Sequence, residues 1–351
     1  MQVKDCVASS YAELRPFKPE RTATFPVYPD LVETLASTKA YPDATVAHVM
    51  AVCSAYAYAD VDTVAMVMAR MGLEENHCMM IDEYVDVLFI TSTSFLIQSR
   101  DGRVVVLCYR GTPPTSLITW LTDANIDPTN IAISSPSGSL NGYVHSGFYR
   151  NVRSTRYEIL NALKRAIDGH SVRPGGGKLA NKLQTLYITG HSLGGASASM
   201  LALMLVLEPA YHDPIFSRLK AVYTFGGPMI ASPELARDCN QHDFLRERVI
   251  RYVYANDIVP QLPPKESDPF AHFGTGYQYK PKGEGGSWQQ NNAPRKQLRN
   301  LLEIPAAPLS VLAGDLKLTR RLQFHASLRD HLPQNYIDAL TPPGVRSEFG
   351  D

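Results

Sequence analysis

Apolar residues recur at helical spacing from Asp30 to Met71: Leu31 and Leu35, then Val46, Val49, Val52, Cys53 and Tyr56, then Val64, Val67, Met68 and Met71. A stripe repeating every three to four residues marks a helix with one face on a core. Two or three helices are predicted there, closed by Gly72, a residue suited to a helix C-cap. Residues 1 to about 27 are rich in proline and unpatterned, and read as an extended arm. After Gly72 the pattern changes. Val87 to Gln98 and Val104 to Tyr109 are β-rich runs joined through Arg100-Asp101-Gly102, a hairpin signal.

Further on, strands and helices alternate. Tyr149 to Asp168 is an amphipathic helix, Arg173 to Gly177 a loop, Leu183 to Thr189 a strand and Ala196 to Leu207 a helix. Leu219 to Phe225 is a strand running into Gly226-Gly227-Pro228, and Val249 to Tyr254 is another. Residues 261 to 308 are polar and rich in Pro and Gly, with few periodic stretches, and Pro333 to Leu340 is a last helix. This alternation predicts an α/β fold: a mostly parallel sheet flanked by helices on both faces. No internal repeat is visible.

Bulk properties narrow the function classes. A chain of 351 residues with 44% hydrophobic and 19% charged content is a folded globular protein. Its formal net charge is zero and it has no basic stripe, so no nucleic-acid partner is expected. The longest apolar run, after Ser192, is too short to cross a bilayer, so no transmembrane segment is expected. The opening MQVKDCVASSYAELRPF has no apolar leader core. The expectation is a cytoplasmic protein, or one exported without a visible leader or met in its mature form. Cysteines 6, 53, 78, 108 and 239 show no C-x-x-C spacing, which suggests neither a zinc site nor a disulfide framework and leans toward a reducing compartment. No H-E-x-x-H or EF-hand pattern appears, so no metal is expected. Gly175-Gly176-Gly177-Lys178 lacks the Ser or Thr of a phosphate loop and reads as a linker; no cofactor is expected. The cluster Lys317 to Arg321 reads as a solvated helix end, with a membrane-surface contact as the sharper option.

One stretch stands against its apolar surroundings: Gly190-His191-Ser192-Leu193-Gly194-Gly195, between a predicted strand and a predicted helix. A strand that turns directly into a helix strains the residue at the turn and leaves no room for neighbouring side chains. The alcohol is then presented above the sheet with a helix N-terminus behind it, the arrangement of a nucleophile elbow. A serine needs a base, and the base an orienting acid, in the chain order Ser, Asp, His for this layout. Asp257 follows the strand ending at Tyr254, at the carboxyl edge where ligands gather in open α/β sheets. Three histidines lie downstream. His331, just before the last helix, is the first candidate for the base, His325 the second, and His272 lies in a Gly-rich stretch. Two backbone N–H groups should face a developing oxyanion: that of Leu193, after the nucleophile, and that of Thr112, after the strand ending at Tyr109.

Several segments together carry a resemblance: Tyr109-Arg110-Gly111-Thr112, Trp120-Leu121-Thr122-Asp123, Val144-His145-Ser146-Gly147-Phe148, Gly190 to Gly195, Thr224-Phe225-Gly226-Gly227-Pro228, Asn256-Asp257-Ile258-Val259-Pro260, and Asp330-His331 with Tyr336. From about residue 45 to 340 the chain resembles the class 3 lipases, the fungal-type triacylglycerol lipases and their bacterial and plant relatives. The resemblance implies an α/β-hydrolase fold and hydrolysis of carboxylic esters. It implies Ser192 as nucleophile, His331 as base, Asp257 as its orienter, Thr112 and Leu193 as the oxyanion hole, and Asp123 as a brace for the Thr112 loop. His145 and His191 match positions read as packing residues. Pro113 to Trp120 stands where the family carries its lid, with Leu117, Ile118 and Trp120 as lid residues, though this stretch is longer than usual. The expected organisation is one domain over residues 1–351, with an N-terminal helical part at 28–75 and an insertion or cap at 265–325.

The expected activity is that of a serine lipase on acylglycerols or similar lipid esters, with transient contact to a lipid surface. The apolar stretch 301–318 is a second candidate cover for the acyl site. Two alternatives stay open: a phospholipase or acyltransferase using the same side chains, and a non-catalytic hydrolase-fold protein that binds an apolar ligand.

Overall fold

Two aspartates start the helices that the apolar stripe predicts. Asp43 accepts a hydrogen bond from Val46 N–H at the head of α2 (Ala44–Tyr56), and Asp60 accepts one from Thr63 N–H at the head of α3 (Val61–Met71). A shorter helix, α1 (Leu31–Ser37), precedes them. Gly72 closes α3 at φ 142°, a conformation costly for any other residue. The computed structural model describes residues 1–15, 24–85, 90–112, 130–134, 140–208, 214–262, 270–282, 285–291 and 328–350.

The main sheet contains β1 (Gln2–Val7), β2 (His77–Val85), β3 (Ile90–Gln98), β4 (Val104–Tyr109), β7 (Thr185–His191), β8 (Leu219–Phe225), β9 (Val249–Val253), β10 (Thr275–Lys282) and β11 (Gly285–Gln290), side by side in that order. From β4 to β10 every neighbouring pair is parallel, and antiparallel strands extend both ends. A separate antiparallel pair joins β5 (Asn130–Ser134) to β6 (Asn141–His145).

β4 and β7 are buried along their whole length, as central parallel strands covered on both faces must be. Their side chains alternate between two cores. Val105, Leu107 and Tyr109 face one core with α4 (Ser146–Ile167) and α5 (Leu193–Leu207). Val104, Val106 and Cys108 face the other, with α1 to α3 and α8 (Pro333–Leu340). Two shorter helices, α6 (Pro233–Cys239) and α7 (Asp243–Arg248), place Leu235 and Leu245 in the first core. α5 carries no charged residue and is buried at nearly every position, because it lies on the sheet beside α4.

Three expectations need correction. The arm at the start is a paired edge strand, β1, bonded to β2 from Gln2 to Val7. The strand expected from Val87 begins at Ile90, and another strand, β2, lies before it. Within 265–325 the described residues include β10 and β11, which prolong the main sheet; residues 292–327 lie outside the described set. Among the described residues, no helix is long and apolar enough to cross a membrane.

Candidate active site

β7 ends at His191 and α5 begins at Leu193, leaving Ser192 alone at the turn with φ 58° and ψ −131°. Side-chain-bearing residues avoid that region, and holding one there costs on the order of 1–3 kcal/mol. The surroundings enforce it. Ser192 N–H donates to Phe225 O at 2.9 Å, and Ser192 O accepts from Gly195 N–H at 2.9 Å to open the helix. A Cβ on Gly194 would stand 2.2 Å from Tyr109 O, so only glycine lets the first turn of α5 sit against the end of β4. Ser192 is fully buried, and its Oγ has no hydrogen-bond partner among the described residues.

Asp257 lies on the turn after β9 and is buried. Its Oδ1 accepts from Val259 N–H at 2.9 Å. Its Oδ2 accepts from His331 Nδ1–H at 2.8 Å and from the Tyr336 hydroxyl at 2.5 Å. Burial, and then the adjacent carboxylate, push the Tyr336 phenol well above its usual range, which keeps it a donor. The same oxygen of Tyr336 accepts from Tyr254 N–H at 3.1 Å. Asp330 stitches the two loops together, its Oδ2 accepting from Asn256 N–H at 2.9 Å. Gly226, at φ 62°, lies under this pair: a Cβ there would stand 2.6 Å from Asp257 Oδ2 and 2.9 Å from His331 Nδ1. With Nδ1 engaged, His331 Nε2 is buried and without a hydrogen-bond partner among the described residues.

His191 ties the elbow to the histidine loop. Its ring lies 4.5 Å from that of His331, centroid to centroid. Its Nε2 contacts the His331 carbonyl at 2.8 Å, and its Nδ1 contacts Tyr58 Oη at 2.8 Å. A carbonyl can only accept, so Nε2 carries the proton and Nδ1 accepts from Tyr58. Burial, and then the neighbouring His331, hold the His191 imidazole far below its ordinary range. It is neutral, with both edges satisfied.

Gly111 and Thr112, after β4, reach the same place. Thr112 is buried, and a Cβ on Gly111 would stand 3.1 Å from Ser192 Cβ. The strand exit is anchored by Arg110, whose guanidinium donates to Ala57 O and Ala59 O at 2.5 Å each. Leu193 is the first residue of α5, where backbone N–H groups have no intrahelical partner.

The structure therefore brings Ser192, Leu193, Thr112, Asp257 and His331 to one end of the parallel strands. His272 is elsewhere engaged: its Nε2 donates to Pro260 O at 2.6 Å, and burial lowers its pKa to about 3. His145 caps α4 by accepting from Gly147 N–H at 3.1 Å, and burial lowers its pKa to about 4. Asp123, Leu117, Ile118, Trp120, His325 and the stretches 301–318 and 317–321 lie outside the described residues. Tyr58 gave no signal in the sequence, since its partner is 133 positions away. Among the described residues, no group of three or more His, Cys, Asp or Glu side chains could hold a metal ion.

The sequence model of the family described as lipase (class 3) matches residues 106–267, which include Thr112, Ser192, Leu193 and Asp257. Triacylglycerol lipase OBL1 of Arabidopsis thaliana is 31% identical over 199 residues, 51% of this chain and 38% of that protein. The protein of the same name from Ricinus communis is 28% identical over 215 residues, 52% of this chain and 39% of its own length. The chain thus spans under two fifths of these curated relatives. Among solved structures, lipase II from Rhizopus niveus superposes with a TM-score of 0.53 at 19% identity, covering 76% of this chain and 91% of that one. At that identity the likeness speaks for the fold alone: the α/β-hydrolase arrangement that the resemblance implies, with the mostly parallel sheet expected from the alternation of strands and helices.

Proposed function

We propose that the chain is a class 3 lipase, a serine carboxylic-ester hydrolase acting on acylglycerols through an acyl-enzyme on Ser192, a reading supported by the family match over residues 106–267 and by the OBL1 relatives. The observation that carries this reading is the 2.8 Å bond from His331 Nδ1 to the buried Asp257 carboxylate. It fixes the tautomer with the lone pair on Nε2, the ring nitrogen that has no hydrogen-bond partner among the described residues.

In this reading Ser192 Oγ attacks the ester carbonyl carbon while His331 Nε2 takes its proton. Asp257 stabilises the imidazolium that forms, with Tyr336 and Val259 N–H holding the carboxylate in place. The N–H groups of Leu193 and Thr112 face the carbonyl oxygen as it gains charge. Collapse releases the alcohol, which leaves with the proton from Nε2. A water then gives its proton to the same nitrogen and attacks the acyl carbon, and the acid departs as Ser192 recovers its hydrogen.

Residues 1–351 would act as one catalytic domain, with 28–75 backing the sheet. Asp123 would brace the Thr112 loop, and Leu117, Ile118 and Trp120 would belong to a lid that turns toward a lipid surface. The name of the OBL1 relatives supports triacylglycerol as the substrate class. The test is labelling by a fluorophosphonate together with hydrolysis of emulsified triacylglycerol. Wild type should label at one residue per chain. Ser192→Ala should fold, fail to label, and lose on the order of 10³-fold or more in turnover, since only binding and the oxyanion donors remain. A Ser192→Ala protein that still labels and turns over ends the proposal.

A further inference from the structure

Away from the site, the pairing of β1 with β2 places Cys6 directly opposite Cys78. Opposed residues of an antiparallel pair carry their side chains on the same face, with Cα atoms about 4.5 or 5.5 Å apart. Both spacings lie within the roughly 4.4–6.8 Å that a disulfide spans. Cys6 is the half-buried residue of an otherwise exposed strand, while Cys78 is fully buried. Cys53 and Cys108 form a second neighbouring pair, but both are shut away from solvent.

We infer that Cys6 and Cys78 form an oxidation site at which a small disulfide oxidant joins β1 covalently to the sheet. Cys6, the accessible sulfur, loses its proton to solvent and attacks one sulfur of the oxidant. That breaks the oxidant's S–S bond, expels one thiolate and leaves a mixed disulfide on Cys6. Cys78 then gives up its proton and attacks the Cys6 sulfur, expelling the second thiolate. Two protein thiols are oxidised to one disulfide, and one oxidant disulfide is reduced to two thiols. Burial, and then the neighbouring Cys6 thiol, hold the Cys78 thiol well above its usual range, so the second step is the slow one.

The bridge has a structural consequence. β1 buries little side-chain surface; besides its bonds to β2 it is held by the Cys6 contact to Val61 O at 3.6 Å and the Asp5–Arg173 pair at 3.3 Å. A link from Cys6 to Cys78 would enclose α1, α2 and α3 in one covalent loop and limit the freedom of the unfolded chain.

The experiment is incubation of the folded, full-length protein with glutathione disulfide, then alkylation, unfolding, thiol titration and peptide mapping. The five free thiols should fall to three, with a Cys6–Cys78 linked peptide and a Tm raised by about 5 °C. Cys6→Ser, at a half-exposed position, should keep all its remaining thiols and show no rise. A titre that stays at five overturns the inference. So does glutathione retained on Cys6 beside a free Cys78, or a linkage of Cys78 to Cys53.

Discussion

Two imidazoles lie almost in contact at the end of the sheet, and they are wired in opposite ways. His191, on the elbow, has both nitrogens in use: one accepts a hydrogen bond from Tyr58 Oη, the other donates one to the His331 carbonyl. His331, on the loop before α8, has a carboxylate at one edge and, among the described residues, no partner at the other. The first arrangement makes a neutral cross-link between two segments of chain. In the proposed reaction the second serves as a base, because a fixed negative charge awaits the cation that forms. Burial is common to both, so burial alone does not separate a structural histidine from a reactive one. The count of engaged edges, and the charge behind them, does.

Removing that charge is the strongest way to break the comparison. Asp257→Asn preserves shape but loses the anion and lets the amide present its N–H to the ring. His331 would then resemble His191, a neutral ring with no partner for its charged form. Turnover should drop by about 10³- to 10⁴-fold with KM little changed. A variant within tenfold of wild type would show that Asp257 does not set the base.

A smaller change sharpens the same point. Tyr336→Phe removes one of the donors to Asp257 Oδ2 and leaves His331 Nδ1 in place. A hydrogen bond to a charged group is worth about 1.5–3 kcal/mol, and only part of that bears on the transition state. Turnover should fall by about tenfold at constant KM. A purely structural role for Tyr336 would lower stability and leave the turnover of the folded variant unchanged.

The elbow was readable because its constraints are local. Strand, glycines, serine and helix fall within about twenty residues, and the backbone geometry follows from their order. Asp257 and His331 could be ranked by chain order and by position after a strand or before a helix. The wiring could not. Tyr58 meets His191 across 133 positions, and nothing around Tyr58 marks it. Two of the strands that escaped notice, β1 and β10, lie at or next to an end of the sheet. β1 carries Lys4 and Asp5 on an exposed edge, so it has no apolar face to advertise. β10 includes Pro281, which breaks the appearance of a strand, yet its partners are parallel β9 and antiparallel β11. Edge strands are specified by a neighbour's unpaired backbone, which a linear hydrophobic pattern does not record.

The comparison extends to a third histidine, and there the expected effect is on stability. His48, inside α2, repeats the wiring of His191: Tyr28 Oη lies 2.8 Å from Nδ1, and Thr341 Oγ1 lies 3.2 Å from Nε2. It is fully buried, and burial lowers its pKa to about 4. In the unfolded chain the same ring takes a proton near pH 6.5. Between those values the unfolded state binds the proton and the folded state does not. Stability therefore rises with pH across the window: it is present above about 6.5 and lost as pH falls toward 4. At pH 5 the loss from one such group is about 2 kcal/mol relative to pH 7. His145 and His272 act in the same direction. Urea unfolding at pH 7 and pH 5 should show wild type losing more stability than His48→Gln, by about 2 kcal/mol, since glutamine can still bond but cannot titrate. Equal losses in both proteins would mean that His48 is protonated in the folded state, and that two satisfied edges do not keep a buried imidazole neutral.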